Sequence, residues 1–230
     1  MQAIVPIKSH SERVPNKNFR ILGGKPLFEW IIHTLLTIEK ISQIVIDTDS
    51  DNEQLWKLDE HPRIQVKSRR PELRGDFVSM NKIIQDVVET SSSEVFLMTH
   101  ATNPFLSRET INKAIQVYSL EVQSGHDSLF SVSPIQGRLF AADASPLNHD
   151  LDSLLRTQDL DEVYLENSCL YIFSKECFRK NNNRIGQHPY LLPTPILDSI
   201  DIDTMEDWNY VKLLADFVPL TSASFKKEWH

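Results

Sequence analysis

Short apolar runs rich in Ile and Val recur along this chain, and longer stretches with the period of a helix separate them. That alternation permits few folds. A strand apolar on both faces needs cover on both, and helical crossovers supply it above and below a mostly parallel sheet. Strands are expected at 3–7, 43–47, 64–67, 94–99, 128–133 and 167–173, with a short late one at 199–202. Helices are expected at 27–38, 51–58, 79–89 with Ser79 as cap, 107–122, 175–180 and 204–217 with Thr204 as cap. The class that follows is α/β. Between 137 and 162 the period fades among Asp, Asn, Pro and Gly, which reads as an insertion leaving the sheet, an arm used in association. From Pro219 onward the chain reads as a loosely ordered tail. With 230 residues, one large domain carrying such an arm is expected rather than two domains.

The first strand breaks into Lys8-Ser9-His10-Ser11-Glu12-Arg13-Val14-Pro15-Asn16-Lys17-Asn18. Three cations lie among hydroxyl and amide donors, and Pro6 and Pro15 restrict the backbone, so less entropy is lost in ordering it. Such a loop suits anionic phosphates; the alternative is a solvated basic turn. The formal net charge of −8 argues against bulk attraction to nucleic acid or an anionic membrane surface, so an anion must be held by a local cluster like this one. No apolar run is long enough to span a bilayer and no leader pattern follows Met1, so a cytoplasmic protein is expected. Cys169 and Cys177 alone suggest neither a disulfide framework nor a zinc site.

Near the other end stands Leu197-Asp198-Ser199-Ile200-Asp201-Ile202-Asp203-Thr204. On an extended chain Asp201 and Asp203 share one face while Ile200 and Ile202 turn to the other. Two carboxylates so placed suit one hard cation, and Mg²⁺ completes its shell with water and substrate phosphate. Other motifs fail on spacing. Asp47, Asp49 and Asp51 begin like a calcium loop, but Asn52 and Leu58 stand where the turn glycine and bidentate Glu belong. Gly23-Gly24-Lys25 is followed by Pro26, not Ser or Thr, and no Gly-x-Gly-x-x-Gly follows the first strand. Arg69-Arg70 after the third strand reads as solvated surface or an anion contact, and His100 carries no proton-transfer role on its own.

Taken in order, several blocks resemble the acylneuraminate cytidylyltransferase family. They are Pro6-x-Lys8-x-x-Ser11-x-Arg13-x-Pro15-x-Lys17-Asn18 with Gly24-Lys25-Pro26-Leu27, then Asp47-Thr48-Asp49-Ser50, then Arg70-Pro71-x-x-Leu73-x-x-Asp76. His100-Ala101-Thr102-Asn103-Pro104-Phe105, the stretch from Thr157-Gln158-Asp159-Leu160 to Glu166-Asn167 and Tyr171-Ile172-Phe173, and Asp198 to Thr204 complete the set. The resemblance implies a three-layer, Rossmann-like nucleotide-diphospho-sugar transferase fold and transfer of CMP from CTP to the anomeric hydroxyl of a nonulosonic 2-keto sugar acid. It also implies Mg²⁺ and a homodimer built on the 137–162 arm. By the same resemblance Lys17, Arg13 and Asp201 are catalytic, with Lys17 stabilising the triphosphate and its leaving group. Lys8, Ser11, Asn18, Arg70, Ser79 and Thr102 are expected at the nucleotide, His100, Gln158 and Asn167 at the sugar, and Asp201 and Asp203 at the metal.

Some positions depart from the family pattern. Lys8 replaces an Arg, Glu12 a commonly basic residue, Leu106 an Arg, and Ser168 the Gly of an Asn-Gly pair, which narrows the space expected beside the sugar. Two other readings stay open on sequence: a cytidylyltransferase for an octulosonate, and a non-catalytic homologue that binds nucleotide or sugar.

Overall fold

The computed structural model describes residues 1–218. The tail from 219 lies outside the described residues. In chain order the elements are β1 (Gln2–Ile7), β2 (Ile21–Leu22), β3 (Lys25–Pro26), α1 (Leu27–Leu36), β4 (Gln43–Thr48), α2 (Glu53–Lys57), β5 (Ile64–Ser68), α3 (Met80–Thr90), β6 (Val95–Thr99), α4 (Arg108–Glu121), β7 (Ser128–Ile135), β8 (Val163–Ser174), α5 (Lys175–Asn181), β9 (Pro189–Pro193) and α6 (Met205–Leu214). The main sheet has the order β5-β4-β1-β6-β8-β7-β9. Its half from β5 to β6 is parallel. Strand β8 runs antiparallel to both β6 and β7, and β9 returns parallel to β7.

Period-two alternation assigns each side chain of β1 to a layer. Ala3, Val5 and Ile7 are buried with Ile31, Ile32 and Leu35 of α1 and Ile111 and Ile115 of α4. Ile4 faces the other way, against Ile84, Val87 and Val88 of α3 and Phe178 of α5. Three layers result, as expected from sequence. After β1 the chain first builds outward through β4 and β5, then crosses back to place β6 on the opposite side of β1. Strand order therefore reverses at the C-terminal end of β1, the position where open α/β sheets bind ligands. The cationic loop leaves the sheet there.

A third, smaller core decides what that loop meets. Val14 of the loop is buried with Leu22, Leu27, Trp30, Phe105, Ile202 and, from α6, Trp208 and Val211. Burying an aliphatic side chain of this size contributes about 1.5–3 kcal/mol, so Val14 and Ile202 each anchor their own segment to the same patch. Helix α6 begins with a capping box in which Thr204 and Asp207 satisfy each other's backbone N–H groups.

Several local expectations are corrected or extended. Residues 199–202 form no strand; the alternation of Ile200 and Ile202 serves the third core, and one ladder-like bond survives, Ile202 N–H to the Thr102 carbonyl at 3.0 Å. Ser79 occupies the N-cap position of α3, yet its side chain makes no capping bond. Strand β8 starts at Val163, well before the expected 167, and β9 has no counterpart in the sequence reading. Asp198 is committed to structure: it accepts from Ser107 N–H (3.0 Å) and Ser107 Oγ (2.6 Å) at the start of α4.

Arg69 is 1% exposed, not solvated, and donates from Nε to Asp47 Oδ1 at 2.5 Å and from Nη2 to the Asp47 carbonyl at 3.0 Å. It ties the ends of β4 and β5 together beneath the ligand face. Among the described residues no helix is long and apolar enough to cross a membrane. The 137–162 stretch carries one isolated bridge, Phe140 to Pro146, and one 3-10 turn, and it exposes Phe140, Leu147, Leu151, Leu154 and Leu155.

Gly186 gives a direct test of packing. A Cβ there would clash with the Asp127 carboxylate, and Asp127 holds Gln187 N–H at 2.7 Å and His188 N–H at 3.2 Å. Gly186→Ala must displace that carboxylate and its bonds, at a cost of about 2–3 kcal/mol. Thermal unfolding should show Tm lowered by roughly 5–10 °C; an unchanged Tm would refute the contact.

Candidate active site

A cavity of about 440 Å³ opens at the switch point. From the first loop Lys8, Ser11, Arg13, Lys17 and Asn18 line it; from the loop after β6 come His100 and Thr102, and from the segment before α6 Asp201 and Asp203. Nine of the residues named from sequence thus share one space. The loop folds back because Asn16 takes a left-handed conformation (φ 54°) that Asn tolerates better than most residues. Lys17 N–H then bonds the Val14 carbonyl at 3.1 Å, and Asn18 Nδ2 donates to the Lys8 carbonyl at 2.9 Å. On the rim, Ser9 N–H donates to Asp49 Oδ1 at 2.6 Å, which gives the carboxylate-rich loop after β4 its task.

Lys17 is the most enclosed of the three loop cations. Its Nζ donates to the Ile202 carbonyl and lies 3.5 Å from Asp203 Oδ1, so it bridges two segments 185 positions apart. Arg13 Nη2 is 2.9 Å from the same Asp203 oxygen, and Lys8 Nζ is 2.8 Å from Asp76 Oδ1. Each cation is aimed by a partly exposed carboxylate, in pairs worth about 0–1 kcal/mol. Such pairs exchange readily for phosphate oxygens.

Asp201 is different. Burial pushes its carboxyl above the usual carboxylate range, Asp203 adds to that, and Thr102 and Lys17 pull it back down. Its Oδ1 is buried without a hydrogen-bond partner. Burial also lowers His100 to about 4, with Arg184 and Lys17 adding to the effect, so the imidazole is neutral at pH 7. An orphaned carboxylate oxygen beside a second carboxylate fits a divalent cation. Among the described residues no group of three or more acidic, His or Cys side chains could hold an ion by itself, so an ion held at Asp201 and Asp203 would need further oxygen ligands from outside the chain.

Four other expected residues lie off the cavity. Arg70 pairs through Nη2 with the buried Asp86, and Ser79 is exposed at the start of α3. Gln158 is exposed in the 3-10 turn of the arm. Asn167 donates from Nδ2 to Ser133 Oγ (3.1 Å) and Thr194 Oγ1 (2.8 Å), next to the cavity-lining Ser168. Asp76 and Met80, which no sequence motif marks for a role, also line the cavity. Asp76 follows Gly75 with φ 103°, a turn that the glycine signalled without showing which way it aims the carboxylate.

Residues 2–227 match the family described as Cytidylyltransferase. The chain is 28% identical over 232 residues to the CMP-N,N'-diacetyllegionaminic acid synthase of Legionella pneumophila, covering 93% of this chain and 95% of that protein. It is 26% identical over 219 residues to the N-acylneuraminate cytidylyltransferase of Streptococcus agalactiae, 90% of this chain but 51% of that one, so it spans about half the length of that relative. In fold it is similar to a CMP:2-keto-3-deoxy-manno-octonic acid synthetase solved with CTP, with a TM-score of 0.64 at 12% identity, covering 94% of this chain and 98% of that one. The family match spans nearly the whole chain, both halves of the cavity included, and the chain belongs to the cytidylyltransferase family.

Proposed function

We propose that this chain transfers CMP from CTP to the anomeric hydroxyl of a nonulosonic, sialic-acid-like 2-keto sugar acid, with Mg²⁺ held at Asp201 and Asp203. The observation that carries the reading is the convergence of Lys8, Arg13 and Lys17 with Asp201 and Asp203 on one cavity at the switch point. In this reading the anomeric oxygen attacks the α-phosphorus, the bond from that phosphorus to the β-phosphate oxygen breaks, pyrophosphate leaves and the hydroxyl proton is released. Bound Mg²⁺ supplies charge neutralisation at phosphate oxygens and acidifies a hydroxyl close to it.

The chain's own residues do the rest. Lys17, nearly enclosed and fixed between Ile202 and Asp203, meets the charge that grows on the leaving pyrophosphate. Arg13 and Lys8 exchange their carboxylate partners for phosphate oxygens, and Ser11 donates to the same group. Thr102 stays beside Asp201 and favours its ionised form. Neutral His100 offers one donor and one acceptor to sugar hydroxyls. No covalent nucleophile is required. The exposed aliphatic side chains of the 137–162 arm support association as a homodimer; the sedimentation mass checks this, and a monomer at micromolar concentration would exclude it.

The test is pyrophosphate release with CTP, UTP, ATP and GTP against N-acetylneuraminic, N,N'-diacetyllegionaminic and 2-keto-3-deoxy-manno-octonic acids. Turnover is expected with CTP and a nine-carbon acid. Absence of turnover with every acid at saturating Mg²⁺ would overturn the reading.

A further inference from the structure

Ser168 is one of four non-glycine residues with positive φ among the described residues, at 57°, and it lines the cavity. It sits in a bulge of β8. Phe130 of β7 pairs with Tyr171 and Val132 with Glu166, so β7 advances two residues where β8 advances five. The extra chain is pinned on both sides. Asn167 is bonded to Ser133 and Thr194, the Cys169 carbonyl accepts from Thr99 Oγ1 at 2.7 Å, and Leu170 N–H donates to Ser131 Oγ at 3.0 Å. A strained conformation held this firmly, on a cavity wall, points to a functional constraint.

What holds the Ser168 side chain is a polar cluster behind the wall. The Tyr171 hydroxyl bonds Glu166 Oε1 and lies 3.1 Å from Ser168 Oγ and 3.2 Å from Arg184 Nη2. Arg184 stacks 4.2 Å from the Tyr171 ring centroid and donates from Nη1 to Asn81 Oδ1 at 3.1 Å. Tyr171 has one proton. The carboxylate of Glu166 is the strongest acceptor within reach and takes it. The phenol oxygen then accepts from Arg184 and from the Ser168 hydroxyl, and Ser168 Oγ is left with lone pairs for the cavity. An oxygen in that state accepts from an N–H or O–H donor and offers nothing to a phosphate, and Arg184 of the same cluster lies close enough to act on His100, so in the proposed reaction Ser168 stands with His100 on the sugar side of the cavity.

We infer that Ser168 is a specificity-determining residue for the sugar acid: its oxygen accepts a hydrogen bond from an amide N–H or hydroxyl of the acid, its side chain limits the width of the substituent beside it, and Tyr171, Glu166 and Arg184 are its positioning residues. This rests on the cytidylyl-transfer reading above. The cavity side of the bulge sets which acid is preferred, while the phosphate loop sets whether transfer occurs.

The experiment compares wild type, Ser168→Gly, Ser168→Ala and Tyr171→Phe for kcat/KM on the three acids named above, with Tm and the CTP dissociation constant measured alongside. Ser168→Gly should raise Tm by a few degrees, because glycine adopts φ 57° without penalty, and hold the CTP dissociation constant within about twofold. Both Ser168 variants should change the ratio of kcat/KM between the best acid and the next by about tenfold. Tyr171→Phe should raise KM for the acid more than KM for CTP. Ratios unchanged in both Ser168 variants of an active enzyme would overturn this inference alone. A wild-type protein that binds CTP but turns over no acid would instead overturn the transfer reaction, and this inference with it.

Discussion

Lys17→Ala is expected to lower turnover by about 10²–10³-fold at saturating CTP, acid and Mg²⁺, the loss found when one preorganised donor to developing charge is removed. The side chain is 13% exposed, so in the proposed reaction its ammonium would act on the leaving group with little screening by water. Folding should survive. Lys17 contributes one hydrogen bond, to the Ile202 carbonyl, worth about 1 kcal/mol, whereas Val14 and Ile202 hold the two segments together through the third core. Single-turnover kinetics with circular dichroism will check both points. Turnover within tenfold of wild type would mean that the leaving group lies elsewhere.

Asp201→Asn should remove activity by a similar factor and make the ligand-free protein more stable at pH 7. Burial raises the folded-state value of Asp201 above its unfolded one. Folding therefore works against the ionised form: the cost is present above the folded value and fades as pH falls through it, since the folded state then takes up the proton. Asn carries no charge and bears no such cost. Melting curves in EDTA should place the variant above wild type at pH 7–8, with the difference shrinking toward pH 4; a variant below wild type at pH 7 would contradict the assignment. Asp203→Asn provides the contrast. Asp203 is 48% exposed and its pairs with Arg13 and Lys17 are screened, so stability should move by at most about 1 kcal/mol while turnover falls more than tenfold.

The sheet was legible in sequence where one rule acted alone. Strands β1, β4 and β6 are largely apolar because both faces are covered, and their runs stand out, whereas the edge strand β5 alternates buried Ile64 and Val66 with exposed Gln65. Strand β9 was hidden by Pro189 and Pro193 at its ends, which an edge strand paired only to β7 tolerates. The start of β8 was hidden by exposed Leu165 and Glu166 on its way to the bulge. Gly23 and Gly24, with φ of 54° and 87°, make the tight turn of the β2–β3 hairpin rather than a phosphate loop. At 199–202 the alternation marks a buried side facing the third core and not a hydrogen-bonded ladder, a distinction that apolar alternation alone does not make.

The site was legible through charge type and order more than through spacing. Lys17 and Asp203 announced themselves as a cation loop and a carboxylate pair, and Ile202 between the carboxylates carried the packing that joins them. Arg70 could not be placed from sequence, because its partner Asp86 is a buried carboxylate on α3 that no motif marks. Ser168 stood out only as a residue in a glycine's place. Its φ explains why glycine suits the position, and the pinned bulge explains how serine is held there.

In the proposed reaction the loop cations and the aspartate pair together direct attack to the α-phosphorus of CTP. Incubation with CTP labelled at the α-phosphate, and separately at the γ-phosphate, follows the broken bond directly. The α-label is expected in the single phosphodiester that joins cytidine to the sugar and the γ-label in pyrophosphate, with both signals appearing about 10²–10³-fold more slowly in Lys17→Ala. Label from the γ-phosphate on the sugar, or release of inorganic phosphate without a CMP-sugar, would contradict it.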